Sequence, residues 1–243
     1  MRPSPKPLRT TFRFDRLLPS GIPAAAQLTT AGPNLMEAFN IVHQDDRLLV
    51  LEKPSGLLAV PGRGPDLQDC LASRVQQVFP TARVVHRLDR DTSGLMLMAL
   101  DADTQRQLSQ QFEKREVHKV YECIVCGIPV QTAGLIDLPI GRDIDHPPRY
   151  RIDHEHGRPS QTRWRLLEPY SSSARLAVEP ITGRSHQIRL HLAMTGHAIL
   201  GDPLYADAVA SNAADRLQLH ACQLTIKHPD DSQKITWQSA CPF

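Results

Sequence analysis

The chain has 243 residues, 41% of them hydrophobic, with a formal net charge of +2; that is enough to bury a substantial core in one large domain without help from disulfides. An odd count of five cysteines, no apolar run near the roughly 20 residues of a membrane span, and no charged start followed by an apolar centre argue against a secreted or membrane protein and for free thiols in a reducing cytoplasm. The small net charge does not by itself announce a nucleic-acid partner.

In chain order, residues 1–38 are rich in proline, threonine and alanine and lack any period of a buried helix or strand, so they read as a disordered tail. Arg2, Lys6, Arg9, Arg13 and Arg16 face only Asp15 within its first sixteen residues, a pattern open to loose RNA contact, targeting or no role. Strands are predicted over Phe39–His43 and Arg47–Glu52 and are broken by Lys53-Pro-Ser-Gly56. Asp66 is expected to cap a helix to Phe79, with Leu67, Leu71, Val75 and Val78 at helical spacing. Strands at Arg83–Val85 and Leu95–Leu100 flank a polar run, and Asp101 caps a second helix reaching Arg115.

Further strands are predicted at His118–Val125, Gln161–Leu167, Arg175–Glu179, Gln218–Ile226 and Ile235–Trp237. Ser185–Thr195 reads as a helix capped by Ser185 and closed by Gly196. The strands do not alternate regularly with helices, which favours an α+β fold with a mixed, largely antiparallel central sheet, flanking helices and a central cleft. One catalytic domain, residues 39–243, is expected behind the tail.

The polar run His86-Arg-Leu-Asp-Arg-Asp-Thr-Ser-Gly94 places Asp89 between two apolar strands, where an ionised group often has a chemical reason. On spacing alone it reads equally as a surface turn in which Asp91, Thr92 and Ser93 satisfy their own backbone. A second run, Pro180-Ile-Thr-Gly-Arg-Ser-His-Gln-Ile-Arg-Leu-His191, puts His186 and Arg189 three apart on one helix face, and a rigid guanidinium there suits a carboxylate or a phosphate. Six arginines against two glutamates between Arg158 and His191 would draw a phosphate backbone, although a solvated surface explains them as well. Tyr121 sits on a strand as a core tyrosine or a ring for stacking; a phenol near pKa 10 is a poor base unless its environment tunes it. Cys123-x-x-Cys126 lacks a second pair, and the eleven histidines offer no ligand spacing, so no metal is expected.

His86-Arg-Leu-Asp-x-x-Thr-Ser-Gly94 resembles the signature of the RluA family of pseudouridine synthases, and Gly183-Arg-x-His-Gln-Ile-Arg189 resembles that family's later motif. Lys53-Pro-Ser-Gly-Leu57, Lys119-Val-Tyr121 and Leu217-Gln-Leu-His-Ala221 stand in family order, so the resemblance covers residues 39–243; residues 1–38 are too few and too poor in helix pattern to be expected to form the S4 RNA-binding domain that several larger relatives carry. It implies that Asp89 is the catalytic carboxylate, that Arg189 pairs with it and keeps it ionised, and that Tyr121 lies against the target base. Arg87 would enter the RNA as the base leaves, and His86, Thr92, Arg184, His186 and Leu219 would line the substrate site, Leu219 being equally explained as core. Thr92, Ser93 and Gly94 would shape the turn, and the 53–57 motif would buttress the active-site floor.

The implied activity is isomerisation of a uridine in structured RNA, in 23S ribosomal RNA, the anticodon arm of transfer RNA or both, by a cytoplasmic monomer without cofactor or membrane partner. Arg90-Asp91 departs from the family's less charged pair, which puts substrate choice in doubt more than chemistry. A catalytically silent RNA-binding or RNA-folding protein is the competing reading. A glycosidic hydrolase would need a second acid aimed at the same bond, and Asp91 is the only close candidate.

Overall fold

The computed structural model describes residues 39–243, and the expectation for residues 1–38 lies outside them. Strands β1 (Asn40–Gln44), β2 (Leu48–Lys53), β3 (Arg83–Val84), β4 (Ser93–Ala99), β5 (His118–Cys126), β6 (Ala133–Asp137), β9 (Gln161–Pro169), β10 (Ser173–Pro180), β11 (Leu219–Lys227) and β12 (Lys234–Gln238) join in one sheet. Its order is β1-β2-β4-β11-β5-β10-β9-β6, with β12 on β11 and β3 on β4. A separate hairpin pairs β7 (Ile140–Arg142) with β8 (Tyr150–Ile152). Every pairing is antiparallel except β4 with β11, which is the mixed, largely antiparallel α+β sheet read from the sequence.

Strand β4 carries the logic of the core. It is buried from end to end, as expected of a strand covered on both faces. Met96 and Met98 pack under helix α1 (Leu71–Val78), with Leu71 and Val75, while Leu95, Leu97 and Ala99 pack on the other face with Leu108 of helix α2 (Ala102–Glu113). A third cluster, including Leu88, Tyr121, Ile188, Leu192 and Leu219, lies beneath the central cleft. Asp101 caps α2 as predicted, accepting a hydrogen bond from the Thr104 amide at 2.8 Å.

Four local expectations are corrected. Asp66 does not cap α1: Pro65–Leu67 forms a single 3₁₀ turn, and Cys70 and Ser73 cap each other reciprocally instead. Of the four apolar residues predicted to share a face, Leu71 and Val75 are buried but Leu67 and Val78 are exposed: Leu67 precedes the helix, and Val78 is its last residue. Helix α3 (Gln187–Met194) is preceded not by a Ser185 cap but by His186 in the left-handed region at φ 56°. Ser93 and Gly94 belong to β4 rather than to a turn.

Gly94 sits at φ 109°, and a Cβ there would lie 2.4 Å from the Ala221 carbonyl oxygen. Only glycine lets β4 run alongside β11, through the pairs Ser93 with His220 and Gly94 with Ala221, and so brings the polar run over the sheet centre. Strands β6, β7 and β8 and helix α4 (Ala208–Asn212) are too short or too polar to have shown a period in the sequence.

Candidate active site

The segment between β3 and β4 is pinned from below by Lys53. Although fully buried, its ammonium donates to the carbonyls of Pro54, Leu57 and Arg90 at 2.7–2.8 Å. Ser55 donates to the Asp91 carbonyl, and Gly56 N–H also reaches the Arg90 carbonyl. The 53–57 run thus buttresses the loop as expected, converting a flexible polar turn into a fixed platform. Thr92, itself buried, closes it: its backbone N–H donates a hydrogen bond to the Asp89 carbonyl at 3.2 Å.

The platform forms one wall of a cleft of about 620 Å³. All nine site residues expected from the sequence line it: His86, Arg87, Asp89, Thr92, Tyr121, Arg184, His186, Arg189 and Leu219. The Asp89 side chain is 19% exposed, and its Oδ2 stands 3.8 Å from Arg189 Nη1. That is an ion-pair contact, longer than a hydrogen bond.

Arg189 is held by a different carboxylate. Its Nε and Nη2 donate to the two oxygens of Asp202 at 2.8 and 2.6 Å, and both side chains are buried, at 2% and 0% exposure. Asp202 also accepts the amides of Leu204 and Tyr205, so it is fixed before Arg189 meets it. Burial opposes the Arg189 charge, yet Asp202 and, less strongly, Asp89 hold its pKa above the ordinary range. Far from offering a polar surface face, α3 is buried from Gln187 to Leu192. Sequence reasoning missed Asp202 as a site residue, because it meets Arg189 across 13 residues of chain.

Tyr121 packs in the sub-cleft core. Burial and then the Asp89 charge push its phenol pKa up, so the ring offers a stacking surface and a retained proton rather than a ready base. His86 is committed elsewhere: its Nε2 accepts the Leu97 amide at 2.9 Å and its ring stacks on Phe112 at 4.6 Å. Burial, with Lys119 nearby, drives its pKa down to about 3, so it is a neutral wall residue whose one nitrogen is already occupied.

His186 lies edge-on between the rings of Tyr150 and Tyr205, its Nδ1 2.8 Å from the Tyr205 hydroxyl. That hydroxyl accepts the Tyr150 amide as well, and the Tyr205 ring lies under the Arg189 guanidinium. Burial lowers the His186 pKa. Tyr205 was not anticipated, and it ties the β7–β8 hairpin to α3. Arg87 is exposed, and Leu219, 2% exposed, belongs to the core as well as to the cleft wall.

The six arginines of the 158–191 stretch do not make one basic face. Arg189 is buried, Arg175 is engaged by Glu122 at 2.9 Å and by Tyr170, and Arg163 faces Glu179 at 3.4 Å. Among the described residues no group of three or more His, Cys, Asp or Glu side chains is placed to hold a metal. Cys123 and Cys126, three apart on β5, point to opposite faces of the sheet.

The sequence profile of the RNA pseudouridylate synthase family matches residues 47–194. Over 204 residues, 84% of this chain, the sequence is 43% identical to the dual-specificity RNA pseudouridine synthase RluA of Escherichia coli strain K12, covering 93% of that protein. It is 46% identical over the same share of this chain to the protein of that name in Yersinia pestis, covering 99% of it. Among solved structures, human RNA pseudouridylate synthase domain containing 1 superimposes with a TM-score of 0.73 at 27% identity, covering 88% of this chain and 87% of that one. Human RNA pseudouridylate synthase domain containing 4 gives 0.69 at 26%, covering 84% and 88%.

Proposed function

Because the chain belongs to the RNA pseudouridylate synthase family, it is an isomerase acting on RNA, and we propose that Asp89 is the carboxylate through which it converts a uridine to pseudouridine. The observation that carries this reading is the arrangement around Asp89: a part-exposed carboxylate in the wall of a cleft, 3.8 Å from a buried arginine that a second, buried carboxylate locks in place. Arg189 positions charge beside Asp89 without forming the short bidentate pair that would occupy both its oxygens.

The reaction breaks the bond between ribose C1′ and uracil N1, turns the base, and joins C1′ to C5; the C5 proton leaves and N1 takes one up. No atom is gained or lost overall, and protein groups suffice. Asp89 would act on the ribose or the base, and Tyr121, on β5 in the cleft lining, would hold the detached uracil by stacking. A stacked uridine must first be flipped out, at a cost of a few kcal/mol. Arg87, exposed at the rim, would fill the gap, since its planar guanidinium can stack on bases and bond their edges.

We assign the substrate to more than one class of RNA, because relatives 43–46% identical are dual-specificity RNA pseudouridine synthases by name; hairpins of 23S ribosomal RNA and the anticodon arm of transfer RNA are the two classes to test, in a cytoplasmic setting and with the protein acting as a monomer. No helix among the described residues is long and apolar enough to cross a membrane. The test is to map pseudouridine in total RNA from cells with and without the gene. Loss of the modification at one or more loop uridines is expected. An unchanged map, together with no tritium release from RNA labelled at uridine C5, would leave a silent RNA-binding protein as the better reading.

A further inference from the structure

Among the described residues two lysines have their pKa pushed down by burial, and only one has its ammonium satisfied. Lys53 has three carbonyl acceptors. Lys119, on β5 two residues before Tyr121 and on the same face, lines the cleft, and burial pushes its pKa down. It has neither a hydrogen bond nor an ion pair with any described residue; its one neighbour of note is the Phe112 ring, 5.9 Å away.

A half-buried cation without a protein partner keeps only part of its hydration, and proteins normally pair such groups. The missing partner is therefore expected to arrive with the ligand. A second observation points to the same place. Lys119 Nζ would be 3.8 Å from a Cβ on Gly183, so it reaches the loop ahead of α3. The next residue, Arg184, also lines the cleft and has a buried Nε with no hydrogen-bond partner. Two donors left open at one stretch of the cleft wall suit an anion with several oxygens.

We propose that Lys119, with Arg184 beside it, binds one backbone phosphate of the RNA next to the flipped uridine. The placement fits: Lys119 lies roughly 7 Å further along the strand from Tyr121, so a base stacked on Tyr121 would carry its own phosphate towards the ammonium. This rests on the proposed function, and it assigns Lys119 a positioning task through a contact to substrate rather than a proton-transfer step.

The test uses full-length protein and an anticodon stem–loop hairpin, with binding read by fluorescence anisotropy at a series of salt concentrations. Lys119→Met keeps the bulk and removes the charge; Lys119→Arg keeps the charge. The methionine variant is expected to bind roughly tenfold more weakly and to lower the slope of log affinity against log salt by about one, while arginine restores both. Single neutral methylphosphonate linkages, moved around the loop, should include one that weakens the wild type as much as Lys119→Met does and adds nothing in that variant. An unchanged salt slope, or linkages whose effects add fully to the substitution at every position, would overturn the site. Binding is read without turnover, so wild-type failure to form pseudouridine in any RNA would instead overturn the functional reading.

Discussion

Asp202→Asn isolates the device that holds Arg189. In the folded protein the pair is bidentate, at 2.8 and 2.6 Å, with exposures of 2% and 0%, so solvent screens it little. Removing one charge leaves a buried guanidinium uncompensated, which costs about 3–5 kcal/mol. In a chain of this size 1 kcal/mol moves the midpoint of thermal unfolding by about 2–4 °C, so a fall of roughly 6–20 °C is expected by circular dichroism. The guanidinium is then free to turn towards Asp89 and close the 3.8 Å gap, and turnover should fall as well. Pairing the loss with its counterpart, in Asp202→Leu with Arg189→Met, should recover most of the stability and none of the activity, because the cost lies in the orphaned charge. A midpoint within about 2 °C of wild type for Asp202→Asn would refute the reasoning.

Arg87→Ala should lose more activity on a folded hairpin than on an unstructured oligonucleotide carrying the same uridine; equal losses would count against its role in base flipping. Gly94→Ala should lose about 3 kcal/mol or more in chemical denaturation, since its Cβ meets the Ala221 backbone at 2.4 Å, and a near-neutral result would contradict the close β4–β11 approach. Burial pushes the Lys53 pKa down to about 8 from an ordinary 10.5. Between those values the unfolded chain binds the extra proton, so Lys53 makes the folded state gain stability as pH rises from about 8 to 10.5, by up to about 3 kcal/mol; below 8 both states are protonated and the term is constant. Unfolding free energies of wild type minus Lys53→Met should therefore climb across that window, and a flat difference would show that Lys53 is not desolvated as described.

Much of the fold was legible because its elements carry simple periods and caps. Leu108 and the Asp101 cap marked α2, and the unbroken apolar run Leu95–Leu100 marked a strand covered on both faces. The start of α1 was misread because Leu67 continues a helical spacing although it sits in a separate 3₁₀ turn and the helix proper begins only at Leu71, behind the Cys70 cap. At α3 the error had another cause: the helix is buried all round, so no polar face existed to be found, and Ser185 was a plausible cap only until His186 adopted a left-handed backbone. The cleft residues were found through linear motifs, which is why Asp202 and Tyr205 escaped. Their importance comes from contacts to α3 made across 13 to 19 residues, a separation no local pattern encodes. Lys119 escaped for the opposite reason: in the sequence it is an ordinary strand lysine, and only the lack of a partner distinguishes it.

The central claim is that Asp89 carries the chemistry in this cleft. Asp89→Asn, which preserves shape and removes the charge opposite Arg189, should be assayed for tritium release from RNA labelled at uridine C5, with hairpin binding measured alongside. The account predicts binding close to wild type and no release above background. Pseudouridine formation by that variant at an appreciable fraction of the wild-type rate would contradict it.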